Sequence, residues 1–210
     1  MRWIAATLLV AAAGCAGTPP PVRLTDEWPS RRPSADDYED VTEKWTRHGR
    51  DHADPDGKIV VEQTIDVVAT FKAPEWRAAH IAHMASRHDL PRSEVAALTK
   101  KSQEEAADHY EVQLLVATYD KRANDLQKNE RSTWRIALVD DAGVEIRPSQ
   151  VKRDRRPRTE IEADYPGLGD FHTAYVVTFP RTLDLLRPDA RRFSLKVTSS
   201  QGGVTMTWSE

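Results

Sequence analysis

The residues best suited to chemistry sit in one stretch. His80, His83 and His88 fall within nine residues, and His109 follows further along. Imidazole is a general base near neutral pH and the commonest transition-metal ligand. Three residues apart on a helix, His80 and His83 share a face, which suits an ion held at about 2.0–2.1 Å. At about 100° per residue His88 projects roughly 80° away from His80, so the three cannot converge. No Asp, Glu or Cys stands at ligand spacing beside them, and the H-E-x-x-H pattern of zinc hydrolases is missing. A solvated or edge-packed face is therefore the expectation. The alternative is a metal-binding or hydrolytic enzyme using His80 and His83, joined by His109.

The remaining candidates point to less. Lys152-Arg153-Asp154-Arg155-Arg156-Pro157-Arg158 is the densest positive run. It suits anionic headgroups or an acidic partner, but Glu160, Glu162 and Asp164 partly cancel its field. An edge strand blunted by charge and proline is preferred. Asp170-Phe171-His172 brings an Asp close to a His in sequence. Asp36-Asp37, Asp54/Asp56 and Asp140-Asp141 lie in turn-like sequence, where carboxylates more often cap backbone N–H groups than work in pairs. G-x-S-x-G, G-x-G-x-x-G and G-x-x-x-x-G-K-[ST] are all missing, and no cofactor is expected.

These side chains need elements to position them. Ile59, Val61, Ile65, Val67, Ala69 and Phe71 share one parity, the period-2 mark of a half-buried strand. Run straight, 59–71 would span about 43 Å at roughly 3.3 Å per residue, so a break is expected, with Gln63 a candidate. The stretch Val41 to Arg47 fits strand or short helix, and strand is preferred. Pro74 opens a helix, and Asp89-Leu90-Pro91 separates it from a second whose stripe Val95, Leu98, Ser102 and Ala106 packs on one side. Strands follow at 110–119 and 173–179. One hairpin turns at Asp140-Asp141-Ala142-Gly143. Another places Phe193, Leu195, Val197, Val204, Met206 and Trp208 on one face around Gln201-Gly202-Gly203. About seven or eight strands without βαβ alternation predict a mainly β fold. The expected form is an antiparallel immunoglobulin-like sandwich over 36–210, with a two-helix hairpin inserted at about 74–108.

Composition fixes the class. The chain has 210 residues, 39% hydrophobic, with 30 Lys+Arg against 33 Asp+Glu and a formal charge of −3. That is one ordinary globular domain with no basic field for nucleic acid, which is excluded as a partner. One Cys, Cys15, excludes an intramolecular disulfide and a Cys-rich metal site.

The chain opens with one charge, Arg2, then an apolar run ending Ala13-Gly14-Cys15. The uncharged run from Trp3 to Gly14 would rise about 18 Å as a helix, short of the ~30 Å hydrocarbon core, so it reads as an export signal. Ala13-Gly14-Cys15 resembles the lipobox of bacterial lipoproteins, with Ala12 where that family usually carries Leu. The resemblance implies cleavage after residue 14, lipid on Cys15 and, because Ala16 follows it, the outer membrane of a Gram-negative cell. The mature chain would have 196 residues and a charge of −4. Residues 15–35 would then be the lipidated Cys and a tether holding five of the thirteen prolines. Extended at about 3.1 Å per residue, that tether would reach up to ~60 Å. Trp28 within it is a residue whose exposure is informative.

The domain is loosely similar to uncharacterised Gram-negative envelope lipoproteins, a likeness that implies no activity. The expected protein is thus a lipid-anchored, non-enzymatic binding or scaffolding module, its partners the membrane through Cys15 and an envelope protein.

Overall fold

The computed structural model describes residues 19–52, 63–200 and 202–210. In chain order its principal elements are α1 (Tyr38–Trp45), β1 (Thr46–His52), β2 (Gln63–Phe71), α2 (Pro74–Arg87), α3 (Arg92–Asp108), β3 (His109–Thr118), β4 (Arg135–Val139), β5 (Glu145–Ile146), β6 (Gln150–Arg153), α4 (Arg158–Asp164), β7 (Thr173–Pro180), β8 (Arg192–Ser199) and β9 (Gly202–Ser209). The strands form two antiparallel sheets, ordered β1-β2-β3-β7-β6 and β5-β4-β8-β9. Helix and strand contribute about equally among the described residues, so helix has a larger share than the sequence pattern suggests. No helix among them is long and apolar enough to cross a membrane.

Strand parity builds the core. Register pairs such as Ala69 with Leu114 and Leu114 with Tyr175 put one apolar set on a single face of the first sheet. The last hairpin supplies the facing set, pairing Phe193 with Trp208, Leu195 with Met206 and Val197 with Val204. Phe71 meets Phe193 at 4.7 Å and Trp208 at 6.0 Å between ring centroids, which joins the sheets in one core. Each such side chain removed from water contributes about 1.5–3 kcal/mol.

The opposite face of the first sheet carries the polar Asp66, Thr70, Glu111 and Gln113, interleaved with the buried Val68 and Leu115. It is nevertheless covered, because the chain after α4 lies on it. A Cβ at Gly167 would come within 3.1 Å of Val68 Cγ1, so glycine lets the backbone approach there. Helix α4 escapes a pattern search: seven residues long, it buries only Ile161 and Asp164.

The helical hairpin at 74–108 and the turn at Asp140–Gly143 match the sequence reading. Two findings differ from it, and two more bear on it. First, residues 41–45 are helical. A reading from Val41 leaves out Tyr38, and Tyr38, Thr42 and Trp45 together make the buried helical stripe. Second, residues 22–24 are part of the domain rather than a free tether. Val22 donates its N–H to Ser209 O at 2.9 Å, and Val22 and Leu24 are buried.

Third, Trp28 is half-buried and shares a groove with Pro29, Ala78, Ile81 and Val95. Fourth, residues 59–62 of the long expected strand lie outside the described residues. The register does shift opposite Gln63, between Asp51 and His52.

Arg47 fastens this N-terminal strap. Its guanidinium donates to the carbonyls of Thr207, Lys44, Thr46 and Pro20 at 2.8–2.9 Å and lies 5.7 Å from the Trp208 ring centroid. Burial pushes its pKa down to about 10.

Candidate functional site

Two His–Asp pairs lie on the Asp66 side of the first sheet, His80 with Asp164 toward α2 and His172 with Asp66 on β2. At the α2 end, rings stack in series. His80 lies 4.8 Å from Trp76 at 13°, Trp76 lies 5.7 Å from Tyr165 at 11°, and His83 lies 4.4 Å from Tyr38 at 19°. His80 Nε2 is 3.5 Å from Asp164 Oδ2, at the outer edge of hydrogen-bonding distance.

Asp164 also receives Arg156 Nη1 at 2.5 Å, with Arg87 at 3.7 Å. Arg156 grips Asp154 at 2.7 Å, and Asp154 accepts from Gln113 Nε2 at 3.1 Å. A chain of groups thus runs Gln113, Asp154, Arg156, Asp164, His80.

Electrostatics follow from this packing. Burial lowers the His80 pKa against the pull of Asp164. Burial opposes ionisation of Asp164, but His80 and Arg156 outweigh it and hold the carboxyl below its usual range. Burial also raises the Tyr165 hydroxyl well above its ordinary value.

His109 is engaged elsewhere, with Nδ1 3.1 Å from Asp108 and Nε2 3.7 Å from Glu111. Glu111 in turn pairs with Lys72 and lies 4.0 Å from Arg77. His88 is exposed at the C-terminal cap of α2. His80, His83 and His109 are therefore not brought together, and no three His, Cys, Asp or Glu among the described residues could hold a metal ion. The cavity lined by His80, Lys72, Arg77 and Glu111 measures about 190 Å³, below the ~300–1,000 Å³ of ligand sites. The side chains around His80 and Trp76 form an ionic and aromatic framework, while His83 lines a separate surface pocket of about 420 Å³ with Tyr38, Glu39 and Arg87.

The other end is open. His172 Nδ1 accepts the Gly169 N–H at 2.8 Å, which leaves Nε2 to carry the proton of the neutral ring. Nε2 points toward Asp66 Oδ2 at 4.0 Å, and Asp66 Oδ2 also meets Arg50 Nε at 3.1 Å. Burial lowers the His172 pKa against Asp66, and the same balance lowers His48. Asp170, the sequence neighbour of His172, turns instead to solvent and lies 3.7 Å from Arg158. The Asp beside this His therefore comes from β2. Asp66, Thr118, Tyr119, Asp170, Phe171 and His172 line a pocket of about 310 Å³. Tyr119 is 69% exposed and Phe171 76%.

A wider cleft of about 740 Å³ is lined by Pro19, Pro20, Glu39, Thr42 and Arg47, but Arg47 is committed to backbone carbonyls. The basic run divides. Lys152 and Arg153 sit on edge strand β6, as the sequence suggests, while Asp154 and Arg156 turn into the ionic chain. Cys15 lies outside the described residues.

Sequence reasoning missed Asp66 with His172, Arg156 with Asp164, and the aromatic pair. The available signal was weak: Tyr119 and Phe171 stand just beyond the ends of two central strands, where no core claims them. No family model, curated protein or solved structure matches the chain.

Proposed function

We propose that this is a lipid-anchored envelope protein whose domain is a non-enzymatic binding or scaffolding module held close to the bilayer. What supports the reading is Ala13-Gly14-Cys15, which resembles a lipobox, together with a strap fastened to the domain at Pro20 and Val22. Arg47 holds Pro20 and Ser209 holds Val22. Five residue steps separate Cys15 from Pro20, so the reach is at most about 18 Å rather than ~60 Å. Several acyl chains on one residue make a stable anchor, each buried methylene contributing about 0.8 kcal/mol. Ala16 supports the outer membrane of a Gram-negative cell as the address. The partners are the membrane, through Cys15, and an envelope component met at the domain surface.

An immunoglobulin-like sandwich is the finer fold reading. It is supported by two antiparallel sheets on one core, although the Cys–Trp–Cys hallmark is missing. The alternative of a metal-binding or hydrolytic enzyme on His80 and His83 gains no support from side chains committed to Asp164, Trp76 and Tyr38.

Replacing Cys15 with Ser and following a clickable palmitate label through cell fractionation tests the anchor. Wild type should be labelled and sediment with membranes, and the variant should be unlabelled and soluble. A variant that still sediments with membranes overturns the reading.

A further inference from the structure

Three large apolar side chains are exposed among the described residues: Tyr119, Val144 and Phe171. Two of them line the same pocket, together with Asp66 and His172. Sheet topology places them there. Tyr119 follows β3, Phe171 lies just before β7, and β3 pairs with both β7 and β2, with Ala117 opposite Asp66. Exposed aromatics beside a pocket carry an apolar cost in water that a ligand removes.

The rim charges decide what kind of ligand. Asp66 is paired with Arg50 at 3.1 Å, Asp120 with Arg122 at 3.4 Å and Asp170 with Arg158 at 3.7 Å. Lys121 lies 5.7 Å from the Phe171 ring centroid. Among the described rim residues the carboxylates and arginines thus compensate one another, and the single charge of Lys121 on the Phe171 ring is a weak field for selecting a phosphate and none for an ammonium group.

What the pocket does offer is two exposed aromatic rings, the exposed Asp170 carboxylate and the Thr118 oxygen, which donates to Asp120 O at 2.8 Å and keeps lone pairs to accept. Its volume of about 310 Å³ is at the lower bound of ligand sites, ~300–1,000 Å³, and suits one or two sugar rings. A pyranose has a C–H face that packs on an aromatic ring and hydroxyls that donate to carboxylates.

We propose that this pocket binds a neutral hexose or N-acetylhexosamine unit of a glycan, with Tyr119 and Phe171 as stacking platforms and Asp170 and Thr118 as hydrogen-bonding partners. The proposal rests on the reading of the domain as a binding module and is independent of the anchor.

The test uses the mature chain, residues 15–210, carrying Cys15→Ser, titrated by calorimetry and saturation-transfer NMR with maltose, N,N′-diacetylchitobiose and inorganic phosphate. Saturable binding of at least one disaccharide is expected. It should weaken tenfold or more in Tyr119→Ala and in Phe171→Ala and be unchanged in Val144→Ala, all variants melting as the parent does. Failure of both disaccharides to bind, or equal affinity in the double aromatic variant, overturns the proposal. So does phosphate binding that the double variant abolishes. Binding of the same chain to phosphatidylcholine vesicles, lost in the double variant while sugars are ignored, overturns it in favour of a bilayer contact. Because this chain carries no lipid, each result stands whatever the Cys15 fractionation shows.

Discussion

The two His–Asp pairs beside the first sheet use the same residue types and reach opposite results. At the α2 end, His80 meets a carboxylate already shared with Arg156 and Arg87, and its ring is stacked on Trp76. At the Asp66 end, His172 meets a carboxylate that Arg50 holds at 3.1 Å, and the neighbouring rings of Tyr119 and Phe171 face water. A His–Asp pair is therefore no mark of a site by itself. What separates framework from site is whether the surrounding rings are spent on each other or left open.

That contrast breaks most forcefully at its α2 end. Trp76→Ala removes the ring between His80 and Tyr165 and should cost about 3–5 kcal/mol, read as a lower urea midpoint. If the loss is under about 1 kcal/mol, the stack is not a framework. Asp164→Asn leaves Arg156 and His80 without their shared buried charge, and about 3 kcal/mol should go with it. A neutral outcome would mean that solvent replaces the carboxylate.

Acid sharpens the comparison with a smaller effect. Burial holds His80 and His172 below the usual imidazole range, so the unfolded chain takes up protons first as pH falls from about 6.5. Stability should decline from there until pH passes the lowered folded values, below which these groups add no further loss. His80→Gln and His172→Gln should each flatten that slope in denaturant titrations between about pH 7 and 5, and an unchanged slope removes that histidine from the account. The smallest effect belongs to the open end. Tyr119→Ala and Phe171→Ala should shift stability by no more than about 0.5 kcal/mol, since neither ring is part of the core.

Periodicity carried much of the fold. The alternation around Gln201-Gly202-Gly203 corresponds residue for residue to the β8–β9 register, and Pro74 and Pro91 each open one of two helices whose apolar stripes are local. Short elements resisted. Val41 and Trp45 fit either period, and only Tyr38 and Thr42, packed toward α2, decide for helix. The strap was read as a tether because its composition is polar and proline-rich. Its two buried residues, Val22 and Leu24, gain their burial from partners far along the chain.

By itself the sequence determined the single Cys, the near-neutral charge, the helical hairpin and most strands, because composition needs no fold and each of these elements depends on neighbours a few residues away. The tertiary structure alone decided which carboxylate each histidine meets. His172 has Asp170 two residues before it but lies beside Asp66, brought from 106 positions earlier by the pairing of β2 with β3 and β3 with β7. Such contacts are set by strand register and by the close approach at Gly167. They link residues whose spacing in sequence carries no periodic signal.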